Sequence, residues 1–209
     1  MIYMTQPLPV SLQVVSFSQN GTKITYPQVA GLASPNVQTE INSKIRSLVN
    51  DLIKYQYAEQ GADQFADMIG TFEIKNNQRN ILSITITNYA YAPLHAHGLT
   101  IIKSLTFDTL TGKQYALQDI FKKGTNYTSY LNTLIEQQAK IRDIQLFDPK
   151  VSIRENQDFY LADKTLIVYF QAYEIAAYYY GLPAFVLPAY TLAPILAEES
   201  PLSRLEAGV

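Results

Sequence analysis

The chain contains no cysteine and no tryptophan among its 209 residues. The lack of cysteine excludes disulfide bonds, thiolate metal sites and a cysteine nucleophile. Charge is also scarce, since Asp, Glu, Lys and Arg make up 16% of the chain and the formal net charge is -2. Binding to a phosphate backbone requires a basic patch, so this balance argues against a nucleic-acid partner.

Long apolar runs are missing as well. No stretch approaches the roughly 18 consecutive apolar residues of a membrane-spanning helix, so we predict no transmembrane segment. The start, MIYMTQPLPVSLQVV, lacks the basic region and continuous apolar run of a signal peptide. A cytoplasmic protein fits these features, and so does an exported protein whose signal has been trimmed from this sequence.

The motifs of the common catalytic sites do not occur. The chain has no G-x-S-x-G, no H-E-x-x-H and no glycine-rich phosphate loop. No pair of carboxylates stands out as the acid and base that a glycosidase needs. We therefore predict no catalytic residue and no cofactor.

The two histidines, His95 and His97, form an H-x-H pair within LHAHG. On a strand, such a pair directs both imidazoles to one face and could begin a zinc site, but a carboxylate would have to complete it. The alternative is a pair of loop histidines bonded to the backbone and bounded by Gly98. We predict no bound metal, with His95 and His97 as the only ligand candidates.

Turn and cap signals organise the chain into strands and helices. Asn20-Gly21 predicts a tight type I′ hairpin turn. A long amphipathic helix follows, with Ser34 as its N-cap, Pro35 in its first turn and Gly61 at its end. Three alternating strands come next, then a second amphipathic helix near residues 125–141, a hairpin that turns at residues 162–164, and the short strand AFVLP.

The element order β-β-α-β-β-β-α-β-β predicts an α+β fold, because a parallel α/β fold would alternate strictly. We expect an antiparallel sheet with two amphipathic helices packed on it, arranged as two similar subdomains that could share a core. The tail AEESPLSRLEAGV is polar and is expected to fray.

Tyrosine is the abundant aromatic residue, with 16 copies, and six of them lie in NYAYAPLHAHG and YEIAAYYYG. Tyrosine suits half-buried cores and binding surfaces alike. Three consecutive tyrosines cannot all point inward, so at least one ring of YYY is expected to be exposed. The candidates for ligand binding are Tyr89, Tyr91, His95, His97, Tyr178, Tyr179 and Tyr180; packing under the sheet is the alternative role for the tyrosines.

Several motifs resemble an extracytoplasmic domain of the RsiV/PdaC type, known from lysozyme-binding anti-sigma factors and from peptidoglycan deacetylases of Gram-positive bacteria. They are HAHG, the run FDTLTGK followed by LQDIF, and YEIA before a glycine and a strand flanked by proline. The family pattern has glycines where this chain has Leu94 and His95. The likeness implies structural roles for six residues: Asp108, Gly112, Asp119, Tyr173, Glu174 and Gly181.

The resemblance also implies a domain organisation and a function. It places a companion subdomain at 1–80, the RsiV/PdaC-type domain at 81–198 and a polar tail at 199–209. It implies a non-enzymatic binding module of the cell envelope, located outside the cytoplasm, whose ligand is a lysozyme-like protein or a cell-wall glycan. The alternatives are a metal-dependent hydrolase of wall polysaccharide that uses His95 and His97, and a structural or assembly domain. The oligomeric state stays open.

Overall fold

The computed structural model of the protein describes residues 9–206, which divide into two compact units. The first unit extends to Gln114 and the second begins at Tyr115. The predicted α+β class is confirmed, and the strands form two sheets. The boundary predicted between residues 80 and 81 falls in a hairpin of the first unit, just before a strand that begins at Ile81. Within residues 9–206, no helix combines the length and apolar character that a bilayer crossing requires.

A five-stranded sheet and one long helix build the first unit. The strands lie in the order in which they occur in the chain. Their bounds are β1 Ser11–Gln19, β2 Thr22–Ala30, β3 Asp67–Gln78, β4 Ile81–Tyr91 and β5 Leu99–Asp108. Neighbouring strands are antiparallel except β2 and β3, which run parallel over the pairs that join Thr22, Lys23 and Ile24 to Met68, Ile69 and Gly70. The predicted antiparallel pairing thus holds for the other described neighbours in this sheet but not for β2 and β3, because alternation along one strand does not fix the direction of its partner.

The β1–β2 hairpin turns at Asn20-Gly21, as predicted. Both residues have positive φ, 47° and 79°, which is the backbone that a type I′ turn demands. A Cβ added to Gly21 would lie 2.6 Å from the Ala66 carbonyl oxygen, so the turn is also closely packed. Glycine is therefore required here for two independent reasons.

The long helix α1 spans Pro35–Gln60 and has the predicted ends. The Ser34 hydroxyl accepts from the Val37 amide at 3.4 Å, and Gly61 closes the helix in the left-handed region at φ 57°. Its apolar stripe packs against β2, β4 and β5. The buried helix residues in this core are Ile41, Ile45, Val49 and Leu52.

The second unit contains a three-stranded antiparallel sheet with the spatial order β6-β7-β8. Its elements are α2 Tyr127–Ile141, β6 Phe159–Ala162, β7 Thr165–Tyr169, β8 Ala184–Pro188, α3 Ala189–Leu192 and α4 Pro201–Glu206. α2 begins two residues after the predicted position, because the Asn126 side chain caps it by accepting from the Ser129 amide at 3.2 Å. The strand AFVLP is confirmed as β8.

The polar tail differs from its prediction, because part of it forms the short helix α4. Leu202 and Leu205 lie three residues apart on that helix, and both are buried. Ser200 accepts from the Ser203 amide at 3.0 Å at the start of the helix, and the Arg204 guanidinium bonds to the Tyr115 hydroxyl. The tail was predicted to be polar because its charged residues outnumber the few apolar ones, Pro201, Leu202 and Leu205, that are buried on this helix.

Candidate functional site

The site begins at a sharp corner after β7, which we call the tyrosine corner and define as residues 173–181. Tyr173 adopts φ 64°, a conformation that side chains rarely take. Glu174 holds this bend: its Oε2 accepts from the Gln171 amide at 2.7 Å, and its Oε1 lies 2.8 Å from Arg154. The resemblance implied a structural role for Glu174, and these two contacts describe one. The charged acceptor makes the bond strong, so the bend is well fixed.

The three consecutive tyrosines form one 3-10 turn, Tyr178–Tyr180. Gly181 ends the turn at φ 66° and ψ -123°, a region open almost only to glycine. Tyr180 is anchored, since its hydroxyl donates to the Asp143 carbonyl and accepts from the Gln145 amide, both at 2.9 Å. Of the three tyrosines predicted to bind ligand, Tyr180 therefore has a clear structural role.

The other rings of the tyrosine corner face solvent. The exposed fractions are 53% for Tyr173, 44% for Tyr178 and 74% for Tyr179. The rings of Tyr173 and Tyr178 are stacked, with centroids 5.3 Å apart and planes inclined by 26°. The expectation that at least one ring of YYY is exposed is confirmed. The exposed aromatic groups of the corner are therefore the stacked Tyr173–Tyr178 pair and, beside it in the chain, the ring of Tyr179.

The phenol of Tyr179 interacts with its neighbour. The two rings lie 4.3 Å apart, and a hydrogen bond with Tyr180 raises the pKa of Tyr179 above its ordinary value. The nearby Asp143 carboxylate raises this pKa further, because a second negative charge is unfavourable there. Tyr179 is therefore a neutral hydrogen-bonding phenol at physiological pH.

An open cleft of about 490 Å³ lies in the same unit, beside the second half of α2. Its polar lining comes from Thr133, Glu136, Gln137, Lys140 and Gln145, and its apolar lining from Ala139, Ile144, Leu146 and Pro149. The tyrosine corner borders this cleft, because Leu146 bridges to Ala176 and the Phe147 amide donates to the Ile175 carbonyl at 2.9 Å.

The cleft has no signature in the sequence. Residues 141–157 mix polar and apolar residues without a strand or helix period, a pattern that indicates a loop-rich segment and does not predict a concave surface. Phe147, a large apolar residue within this polar segment, has an exposed ring but does not line the cleft.

The remaining predicted ligand-binding residues belong to the first unit. Tyr89 and Tyr91 lie near the end of β4 and are half-buried. The Tyr89 ring packs directly over Gly98, where an added Cβ would overlap it. Gly98 is thus required by a close approach of an aromatic ring, which gives Tyr89 a packing role.

The two histidines lie in a turn, residues 93–98, and not on a strand. Both side chains are exposed, and His97 Nδ1 lies 3.0 Å from the Gly98 carbonyl oxygen. Leu94 adopts φ 71°, the conformation that glycine takes most easily, at a position where the RsiV/PdaC pattern has glycine. In the part of the chain from 9 to 206, no three His, Asp or Glu side chains are grouped so as to hold a metal ion.

The two aspartates to which the resemblance assigned structural roles, Asp108 and Asp119, bind backbone groups. Asp108 Oδ1 accepts from the amides of Leu110 and Thr111 at 2.9 and 3.0 Å, and Gly112 completes that turn at φ 77°. Asp119 Oδ2 accepts from the Ala116 amide at 2.8 Å. These are bonds that stabilise turns, as carboxylates do when they bond the backbone nearby.

The fold and the site define a two-unit α+β protein whose second unit presents exposed tyrosines beside a cleft. Comparison with known proteins refines this class. Residues 18–100 match the family model described as Deacetylase PdaC, and residues 118–190 match the model described as Protein of unknown function (DUF3298). Along the chain, a segment similar to the PdaC model is thus followed by one similar to the DUF3298 model. The PdaC match lies largely upstream of residues 81–198, to which the motifs had assigned the RsiV/PdaC likeness.

Solved structures of DUF3298 proteins share the fold. A DUF3298 family member from Bacteroides fragilis aligns with a TM-score of 0.72 at 14% identity, over 95% of this chain and 98% of its own. A DUF3298 family protein from Pseudomonas aeruginosa aligns with a TM-score of 0.66 at 16% identity, over 97% of this chain and 98% of its own. No curated protein matches the sequence.

Proposed function

We propose that the protein is a non-enzymatic binding module of the bacterial cell envelope that binds cell-wall glycan outside the cytoplasm. The observation that carries the proposal is the exposed aromatic surface of the tyrosine corner, in which Tyr173 and Tyr178 stack and Tyr179 is 74% exposed. Contiguous exposed apolar groups, such as this stacked pair, mark interaction sites more often than singly exposed apolar residues do.

The chemistry of a glycan suits this surface. A pyranose ring has an apolar face of C–H groups that packs on an aromatic ring, while its hydroxyls need hydrogen-bond partners at the edge. Tyrosine provides both, because its ring is apolar and its hydroxyl is polar. The exposed rings carry no charge, and Glu174, the charged residue of the corner, is paired with Arg154, which fits a neutral sugar better than a charged partner.

The cleft beside α2 offers further polar partners. Gln137 and Gln145 present amide groups that donate and accept, and Lys140 adds a donor. Glu136 is partly committed, since its Oε1 accepts from the Val151 amide at 2.9 Å. A glycan chain that stacks on the corner could therefore continue into the cleft.

The rigidity of the corner supports a binding role. Glu174, Gly181 and the bonds of Tyr180 hold the exposed rings in place before any ligand arrives. A surface already ordered loses less conformational entropy on binding. The PdaC match supports a cell-wall setting, because the family is named for a deacetylase and the resemblance relates it to peptidoglycan.

The test is an NMR titration of isotope-labelled protein with N-acetylglucosamine oligomers and with muropeptides. We expect shift changes at Tyr173, Tyr178, Tyr179 and Gln145. Tyr179→Ala should weaken binding at least tenfold, and Tyr190→Ala is the matched control, because Tyr190 is an equally exposed tyrosine of the same unit at 76%.

Lysozyme is titrated in a separate arm. If lysozyme binds and the sugars cause no shift changes, the ligand of the tyrosine corner is a protein and not a glycan. No change at the tyrosine corner with either ligand would refute the proposal. A metal-dependent hydrolase is the alternative, and stoichiometric zinc that is lost in His97→Ala would favour it.

A further inference from the structure

The outer edge of β1 is a feature that the proposed glycan site does not use. β1 is the first strand in the spatial order β1-β2-β3-β4-β5, so only one of its sides pairs with another strand. An edge strand presents unpaired amide and carbonyl groups, which can pair with a further strand.

The hairpin turn fixes which groups point outward. In a two-residue hairpin the residues that flank the turn, here Gln19 and Thr22, exchange backbone hydrogen bonds, and bonded pairs recur at every second residue. The residues between them direct both backbone groups away from β2. On β1 these residues are Leu12, Val14, Ser16 and Ser18.

Two observations on β2 confirm this alternation. Pro27, which has no amide hydrogen, lies opposite Val14, where no bond to β1 is required. Val29 lies opposite Leu12, and its amide and carbonyl bond to the Asn42 side chain instead of to β1, at 2.8 and 2.9 Å. Within residues 9–206, the outward groups of β1 bond to no other backbone group.

The β1 edge lacks the usual features that prevent strand pairing. Its sequence, SLQVVSFSQ, has no charge and no proline, and it pairs with β2 without a bulge. Val14 and Phe17 are 64% and 48% exposed. The opposite edge differs: β5 carries Lys103, and its end is covered because the Asp108 amide donates to the Lys113 carbonyl at 2.8 Å.

We propose that a second copy of this chain pairs with the β1 edge, antiparallel about a twofold axis near Val15. This register places Leu12 opposite Ser18 of the second copy and Val14 opposite Ser16, so all four outward residues find partners. An uncharged strand meets itself without repulsion, and its outward donors and acceptors are equal in number. The pairing continues the five-stranded sheet into the second copy.

Sedimentation velocity over a concentration series tests the pairing. We expect the wild-type sedimentation coefficient to rise with concentration, as for a weak dimer. Ser16→Pro removes an outward amide hydrogen and should keep the protein monomeric. Ser16→Lys, which places like charges against each other near the axis, should do the same; Ser43→Lys, an exposed position on α1, is the matched control and should associate like wild type.

Amide exchange identifies the edge itself. Protection at Leu12, Val14, Ser16 and Ser18 should increase with protein concentration, while Gln13 and Val15, already bonded within the hairpin, should not change. Circular dichroism shows whether Ser16→Pro folds; if it does not, the pairing is tested with Ser16→Lys alone. A monomer at every concentration up to about 1 mM, where even a millimolar Kd gives substantial dimer, would refute the proposal. So would association that Ser16→Lys leaves unchanged.

Discussion

The side chain of Asn42 bonds to the backbone of Val29 as a neighbouring strand would. Its Oδ1 accepts from the Val29 amide at 2.8 Å, and its Nδ2 donates to the Val29 carbonyl at 2.9 Å. β2 and β3 pair only near the start of β2, so the far end of β2 has no strand partner on that side. The Asn77 side chain bonds to Val10 in the same way: its Oδ1 accepts from the Val10 amide and its Nδ2 donates to the Val10 carbonyl, both at 2.9 Å. Two side-chain amides thus satisfy backbone groups where the sheet opens.

Asn42→Ala should lower the free energy of unfolding by about 1–3 kcal/mol, because it leaves two backbone groups of a buried residue unpaired. Urea denaturation measures this change, and the Val29 amide should also exchange faster. Asn50→Ala, at an exposed asparagine on the same helix, should stay within about 0.5 kcal/mol of wild type. Equal effects of the two substitutions would contradict the assigned role.

Gly98→Ala should destabilise the turn that holds the histidines, because its Cβ would overlap the Tyr89 ring. Overpacking of this kind typically costs about 1–3 kcal/mol. A double-mutant cycle with Tyr89→Leu tests the cause, since the smaller side chain should relieve most of the penalty. Additive effects would show that Gly98 is needed for another reason.

Tyr180→Phe should lower the pKa of Tyr179, because the hydrogen bond with Tyr180 is the largest cause of its rise. A pH titration followed by tyrosine absorbance or by NMR measures the pKa of Tyr179, with Tyr190→Phe as the control.

In the wild type the pKa of Tyr179 in the folded protein lies above the unfolded value of about 10. The resulting contribution to stability is present below pH 10 and is lost as pH rises through the folded pKa. An unchanged Tyr179 pKa would show that the bond is unimportant.

Leu202→Ala should lower the free energy of unfolding by about 2–5 kcal/mol, since Leu202 is fully buried in the short helix α4. Thermal and chemical denaturation measure the loss, and Leu110→Ala is the control because Leu110 is exposed. A frayed tail would give similar small effects for both substitutions. The large difference would show that α4 is part of the second unit's core.

Features encoded within a few neighbouring residues were predictable. The Asn20-Gly21 turn, the Ser34 and Gly61 caps and the strand AFVLP all follow from local backbone preferences. The α+β class was predictable because it follows from the order of these locally encoded strands and helices along the chain.

Features that depend on distant partners were not predictable from the sequence. The parallel pairing of β2 with β3 is set by how α1 packs, and the cleft beside α2 exists only where residues 144–149 fold back along the helix. The exposure of at least one ring of Tyr178–Tyr180 was foreseen because three consecutive tyrosines cannot share one face, whereas the exposure of Tyr173 was not. Which ring is anchored depends on Asp143 and Gln145, some 35 residues earlier in the chain.

The short parallel contact between β2 and β3 makes a seam between two blocks of local pairing. On one side is the β1–β2 hairpin, and on the other the β3–β4–β5 meander, each assembled from chain neighbours. Closing the seam requires residues 22–24 to meet residues 68–70 across all of α1, which costs loop-closure entropy. Both blocks should therefore form early in folding, with the seam the last part of the first unit to close and the first to open under mechanical load.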